Sequence, residues 1–134
     1  MLTIGEVVTV DAQAEFRNDV QLDAYESRQQ NLALLRSYLF SGSAPESGSA
    51  AIRSIPAVGL LDQIVQAFLS DRLENRVVAI ANYGHGKSHL ALALANYFGR
   101  SPQSEELEVL LPKIANAAND AARAARFRDF KKSR

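Results

Sequence analysis

The feature that most constrains this chain is a glycine-punctuated loop that joins an apolar run to a helix. Residues 77–81 are apolar with no alternation, which is typical of a parallel strand buried on both faces. They lead into the loop that ends in Gly86-Lys87-Ser88. A helix is expected from residue 87 to about residue 98, with Gly99 as the first residue beyond it. A strand, a loop and a helix in this order form a phosphate-binding unit.

The loop follows the Walker A pattern, Gly-x-x-x-x-Gly-Lys-Ser/Thr, over residues 81–88. Gly86, Lys87 and Ser88 match the pattern, whereas Ala81 replaces its first glycine. In such a loop the backbone N–H groups converge on the phosphates, and the positive end of the helix dipole points at the same place. We therefore expect Lys87 to contact the β- and γ-phosphates of ATP, and Ser88 to hold Mg²⁺ through its hydroxyl oxygen.

The candidate cofactor-binding residues run from the loop into the first turn of the helix. They are Asn82, Tyr83, Gly84, His85, Gly86, Lys87, Ser88 and His89. Asn82 and Tyr83 either line the nucleotide or only fix the turn. The two histidines are four residues apart but have no third ligand nearby, so we expect His89 to pack or hydrogen-bond beside the loop rather than to bind a metal. The absence of an Asn/Thr-Lys-x-Asp stretch favours ATP over GTP.

The chain lacks a recognisable second half of an NTPase site. A Walker B acid ends another strand, where it holds Mg²⁺ and polarises water. After Ser88 the one short apolar cluster, residues 109–111, runs into Pro112 without an acid. We therefore assign no catalytic residue, and we expect ATP hydrolysis only if a Walker B region completes the site. The favoured interpretation is the N-terminal fragment of a larger ATPase. The alternative is a non-hydrolysing, nucleotide-gated interaction module.

The segments that flank the loop have helical patterns. Residues 22–40 carry an apolar stripe with Ser27 as a plausible N-cap, and a second amphipathic helix is expected over residues 58–73. A helix-start signature lies at residues 101–106, and an alanine-rich helix or helix pair is expected to run from there to about residue 130, with a restart at Pro112. The expected buried side chains of the first two helices are Leu32, Leu35, Tyr38, Leu39, Phe40, Leu61, Ile64, Val65 and Phe68, with Leu69 as a further candidate.

These patterns together predict an α/β fold. It consists of a partial P-loop NTPase core, made of the strand, the Walker A loop and its helix, with a mainly helical N-terminal lead-in and a helical C-terminal segment. Residues 1–50 form the lead-in, which ends in the Ser/Gly-rich stretch SGSAPESGSA. Residues 51–134 form the start of the nucleotide-binding domain, which is incomplete without Walker B.

The charge is distributed unevenly although the formal net charge is zero. Residues 121–134 hold six basic side chains against Asp129, a net of +5, so residues 1–120 sum to −5. Such a basic tail is compatible with nucleic-acid binding, but a solvated helix face is favoured, because no aromatic-plus-basic pattern occurs elsewhere in the sequence. No apolar run approaches the ~18 residues of a membrane span, and no secretory signal is present. We expect a cytoplasmic protein without a membrane partner.

The stretch NYGHGKSHLALALANYFG resembles the loop of large P-loop ATPases from bacterial phage-defence loci, of the BREX and phage-growth-limitation type. The upstream VQLDAYESRQQNLALLRSYLF also resembles the lead-in segment of that group. The resemblance implies a much larger AAA+-like ATPase with ATP and Mg²⁺ at Lys87 and Ser88. It also implies partners within a defence complex that acts on phage DNA. The stretch is similar, too, to the loops of helicase-loader ATPases of replication and transposition.

Overall fold

The computed structural model describes residues 20–40, 56–70 and 86–134, and every regular element in these ranges is helical. A 3₁₀ turn at Leu22–Tyr25 comes first. The five α-helices are α1 (Arg28–Ser37), α2 (Ala57–Leu69), α3 (Lys87–Gly99), α4 (Glu105–Ala118) and α5 (Ala121–Lys132). None of these helices is long and apolar enough to cross a membrane.

The predicted α/β fold with a partial P-loop NTPase core is wrong, because the three described ranges contain helices and no strand. The run at residues 77–81 that was predicted as a core strand lies outside the described residues. Within the described part of the chain, α3 is covered by helices instead of lying on a sheet. It buries Leu92, Ala93 and Tyr97, and it packs against α1, α4 and the 3₁₀ turn. The Walker A pattern misled the fold prediction because a glycine followed by an amphipathic helix does not require a strand before it.

The helix α4 lies at the centre of the core and contacts all four other helices. Its buried side chains recur at three- and four-residue spacing, which places them on one face. They are Leu107, Leu110, Ile114 and Ala118. The other helices complete one continuous cluster with Leu35, Val58, Leu61, Val65, Ala93, Tyr97, Phe127 and Phe130. Burial of these apolar faces against one another is what holds the helices together.

Two buried amides connect α1 to α3. Asn31 and Asn96 are both fully buried, and each donates to the side-chain oxygen of the other at 2.8 Å. The second amide hydrogen of Asn96 is donated to the carbonyl oxygen of Leu92 at 2.9 Å. Further along, Leu34 of α1 packs in a cluster with Leu92. Because the contact pairs run in opposite directions along the two helices, α1 and α3 are antiparallel.

The predicted helix ends near the C-terminus need two corrections. The restart expected at Pro112 does not occur, since α4 continues through it to Ala118. The break lies at Asn119, which has a left-handed φ of 47°, and Asp120, whose carboxylate accepts hydrogen bonds from the first turn of α5. Asparagine tolerates the left-handed region and aspartate is a strong N-cap, so these two residues end one helix and begin the next.

Gly99 is the last residue of α3 rather than the first residue beyond it. A Cβ atom built on Gly99 would lie 2.7 Å from the phenol oxygen of Tyr25. The neighbouring Arg100 donates to the carbonyl oxygen of Tyr25 at 2.6 Å and places its guanidinium 4.1 Å from the centre of the Tyr25 ring. Glycine therefore eases the close approach of the 3₁₀ turn to α3, because a larger residue would displace the end of the Tyr25 side chain, and it is not used here for a left-handed conformation.

The predicted buried faces are mostly confirmed. Seven of the ten side chains are buried or half-buried, and the three exceptions are Leu39, Phe68 and Leu69, which are 81%, 56% and 60% exposed. The second helix also ends at Leu69, earlier than the predicted residue 73. Helical periodicity identified the packed sides of the helices correctly. The exceptions lie at helix ends, because Leu39 follows the end of α1, and Phe68 and Leu69 belong to the last turn of α2. At a helix end the period no longer fixes the direction of a side chain.

The buried amide pair generates a stability prediction. Asn31→Leu leaves the Asn96 amide without its partner in a dry interface, so we expect the free energy of unfolding to fall by about 1–3 kcal/mol. The double change Asn31→Leu/Asn96→Leu removes both polar groups. Its loss of unfolding free energy should be smaller than the sum of the losses of the two single changes. Urea unfolding followed by circular dichroism measures all three, with the exposed Asn116→Leu as the matched control. Strict additivity of the single changes would contradict the pairing.

The Asp120 cap generates a pH prediction. Hydrogen bonds from the backbone N–H groups of Arg123 and Ala122 lower the pKa of this carboxyl below its ordinary 3.8. Because the pKa of Asp120 is lower in the folded state than in the unfolded state, its ionised carboxylate stabilises the fold above pH 3.8. This stabilisation is lost as the pH falls through the lowered pKa of the folded state. Asp120→Ala should therefore be less stable than the parent at pH 7, with a difference that shrinks in acid. Asp120→Asn keeps the acceptor without the titration. If Asp120→Ala lowers the free energy of unfolding by the same amount at every pH, the assignment of the Asp120 carboxylate as the helix cap is contradicted.

Candidate phosphate site at the start of α3

The structure describes four of the eight predicted site residues, and they are consecutive. Gly86 precedes α3, and Lys87, Ser88 and His89 form its first turn. The other four, Asn82, Tyr83, Gly84 and His85, lie outside the described residues.

Gly86 turns the chain into α3 through a left-handed backbone conformation, with φ 72° and ψ 19°. Its carbonyl oxygen accepts a hydrogen bond from the N–H of Leu90 at 2.9 Å, which closes the first turn of the helix. An L-residue with a side chain is disfavoured in this conformation, whereas glycine adopts it freely. Gly86 has no side chain, so it offers no side-chain oxygen to cap the first-turn N–H groups of α3.

The first turn of α3 has a positive electrostatic character. Lys87 and Ser88 are exposed, and the first turn contains no acidic residue. The first N–H groups of any helix lack a carbonyl four residues earlier, and the helix dipole adds about half a positive charge at that end. A lysine, a hydroxyl and converging N–H groups are the donors that hold a phosphate. The geometry of the described turn is suited to an anion.

His89 is directed towards α1. Its Nε2–H donates to the carbonyl oxygen of Leu34 at 2.5 Å, and its ring centre lies 4.8 Å from that of Tyr38. The prediction that this histidine packs or hydrogen-bonds beside the loop is confirmed. Because a carbonyl can only accept, Nε2 must carry the hydrogen. The His89 side chain therefore fixes the direction of α3, and only its backbone N–H belongs to the first-turn donors.

The opposite end of α3 is anchored in the core. Tyr97 is fully buried and donates its phenol hydrogen to the carbonyl oxygen of Phe127 at 2.7 Å. Burial raises the pKa of this phenol above its ordinary 10.0, so it stays a neutral donor at physiological pH. With Asn96 one residue earlier, Tyr97 holds the C-terminal half of the helix. The start of α3 is thereby held in a defined position at the surface.

Metal-ligating side chains do not cluster in the described part of the chain. Among residues 20–40, 56–70 and 86–134, no group of three or more metal-ligating side chains lies together. Ser88 provides one hydroxyl oxygen that fits Mg²⁺, and the remaining ligands would come from phosphate and water, as is usual for this cation.

Sequence reasoning missed Asn31 and Asn96, which position the site from the side of the core. The signal that identifies them is a polar residue on the apolar face of a helix. Asn96 follows Leu92 by four residues, and Asn31 precedes Leu34 and Leu35 by three and four. A buried amide at such a place must find a partner. The sequence alone does not say that the two amides pair with each other.

Comparisons with protein-family models, with curated proteins and with solved structures found no match. They give no support to an ATPase or to a BREX-type identity. The resemblance of the loop and the lead-in to phage-defence ATPases and helicase loaders stays a prediction.

The left-handed glycine generates the prediction of this subsection. Among the described residues, no atom lies within 4 Å of a Cβ atom built on Gly86, so Gly86→Ala should act through backbone strain rather than through a clash with them. We expect a loss of about 1–2 kcal/mol in the free energy of unfolding, or fraying of the first turn of α3. Gly86→Asn should lose less, because asparagine tolerates the left-handed region. Urea unfolding and amide hydrogen exchange of α3 measure both effects. Equal losses for the two variants would contradict the strain explanation.

Proposed function

We propose that this chain binds ATP with Mg²⁺, and that it holds the phosphates at the start of α3. The observation that carries the proposal is the junction at Gly86, where a left-handed glycine leads directly into a helix whose first turn exposes Lys87 and Ser88. In this proposal Lys87 neutralises the outer phosphates, the first-turn N–H groups donate to phosphate oxygens, and Ser88 is a ligand of Mg²⁺.

The proposed activity is nucleotide-gated binding, and ATP hydrolysis is expected only if a Walker B region completes the site. Phosphate bound there would stabilise the first turn, which includes His89, and His89 connects that turn to α1 through the carbonyl of Leu34. Occupancy would thus change the stability of the α1–α3 surface that a partner meets. A cytoplasmic location belongs to this proposal. The partners that the resemblance implies, a defence complex and its phage DNA, stay a prediction.

The proposal predicts that Lys87→Ala weakens ATP binding. Loss of one charged phosphate contact costs ~1.5–3 kcal/mol, so the Kd for ATP with Mg²⁺ should rise roughly ten- to a hundredfold. Isothermal titration calorimetry of the full chain measures the change. AMP, which lacks the outer phosphates, should bind the parent more weakly than ATP and should be less sensitive to Lys87→Ala.

The matched control is Lys132→Ala, which removes another exposed lysine at the far end of the chain. It should leave the Kd for ATP unchanged. If Lys87→Ala and the control bind ATP as tightly as the parent, the start of α3 does not hold the phosphates. If both variants weaken ATP equally, the effect is one of overall charge and the proposal fails.

A further inference from the structure

Aromatic rings that are far apart in the sequence meet in a cleft at the C-terminal end of α3. The cleft has a volume of about 160 Å³. Its lining comes from the last turn of α2, from the end of α3, and from α5 and the residues after it, and consists of Phe68, Tyr97, Phe98, Phe130, Lys131 and Arg134. The ion pair between Arg126 and Asp62, at 2.6 Å, holds α5 against α2 and so keeps the sides of the cleft together.

Lys131 places a buried cation in the wall of this cleft. The residue is 4% exposed, and its ammonium donates one hydrogen bond, at 3.3 Å, to the carbonyl oxygen of Phe98. No ion pair in the described part of the chain involves Lys131. Burial lowers the pKa of this ammonium below its ordinary 10.5, because less water solvates the charge. A buried charge is costly unless an opposite charge compensates it, so Lys131 favours an anion in the cleft.

Phe68 and Arg134 are the exposed members of the lining. Phe68 is 56% accessible, although it belongs to a cluster of rings. The guanidinium of Arg134 lies 5.5 Å from the centre of the Phe68 ring and 5.4 Å from that of Phe130. Within the described ranges no ion pair involves Arg134 either. The cleft thus presents an open aromatic surface together with one exposed and one buried cation.

The volume of the cleft suits a single aromatic ring. A cavity of about 150 Å³ in a protein core accommodates a benzene molecule. The Phe68 ring centre lies 5.7 Å from that of Phe98 and 5.9 Å from that of Phe130, and both pairs are tilted by 41°. A further ring can make edge-to-face or offset contacts with such walls. A long acyl chain would need a larger volume.

We propose that this cleft binds a small aromatic monocarboxylate, a molecule of the benzoate class. The ring of the ligand packs against Phe68, Phe98 and Phe130. Its carboxylate accepts hydrogen bonds from the Lys131 ammonium and the Arg134 guanidinium, which supplies the negative charge that the buried lysine lacks. A neutral aromatic compound would leave Lys131 uncompensated, and an anion without a ring would leave Phe68 exposed. The two features together therefore specify the class of ligand.

This site is separate from the proposed ATP site. The cleft lies at the C-terminal end of α3 and the phosphate site at its N-terminal end, roughly 16 Å apart along the helix. The two proposals can therefore fail independently, and Lys87→Ala should bind the aromatic carboxylate as the parent does.

Ligand-observed fluorine NMR of the 134-residue chain with para-fluorobenzoate tests the proposal, with para-fluorobenzamide as the neutral probe of matched shape. The parent should bind the carboxylate roughly ten- to a hundredfold more tightly than the amide, which is the range for a hydrogen bond to a charged group. Lys131→Met keeps an apolar side chain in the wall and removes the ammonium, so it should abolish most of this preference. Phe68→Ala should weaken both probes about two- to tenfold, the range for one aromatic pair.

The matched control for charge is Arg128→Ala, which removes an exposed arginine that does not line the cleft. It should leave both affinities unchanged, whereas Arg134→Ala should weaken the carboxylate alone. The proposal is overturned if the parent binds the two probes equally, or if Phe68→Ala binds both as tightly as the parent. It is also overturned if acetate displaces para-fluorobenzoate at equal concentration, because the site then has no place for a ring. Should Lys131→Met fail to fold, the comparison of the two probes on the parent and on Arg134→Ala decides.

Discussion

The hydrogen bonds between the Asn31 and Asn96 side chains fix where α3 lies in this fold. Both amides are fully buried, so a shift of one helix along the other would leave their polar groups unpaired in a dry interface. Apolar contacts alone would permit such a shift, because they do not require one particular partner. The hydrogen bond from His89 to the carbonyl of Leu34 secures the same interface nearer the start of α3. The direction in which the first turn of α3 points, and hence any binding there, depends on these contacts.

The helix α3 connects two surfaces of different chemistry. Its N-terminal turn offers N–H groups, Lys87 and Ser88. Its C-terminal end contributes Tyr97 and Phe98 to an aromatic cleft that Phe68 and Phe130 also line. Between the two, α4 covers the helix with apolar side chains. At the second surface the pairing of Arg126 with Asp62 keeps α5 against α2, so that Phe130 and Arg134 meet Phe68. The packed helices of the described ranges thus hold both surfaces.

Local features of the fold could be predicted from the sequence, while its class could not. The start of α3 at Lys87, the buried stripe of α1 and a start of α4 within residues 101–106 follow from periodicity and capping, which are properties of neighbouring residues. The α/β class was inferred from residues 77–81 by analogy, and the described helices do not support it. Partners distant in sequence, such as Asn31 with Asn96 and Phe68 with Arg134, carry no local signal, because only tertiary packing brings them together.

The most direct test of the account is a backbone NMR titration of the 134-residue chain with ATP and Mg²⁺. If the start of α3 holds the phosphates, the amide resonances of Lys87, Ser88 and His89 should show the largest shifts. The side-chain amide resonances of Asn31 and Asn96 should stay in place, because the α1–α3 interface is already formed. Shifts confined to other parts of the molecule, or no shifts at saturating ATP, would contradict the proposal that this turn is a nucleotide site.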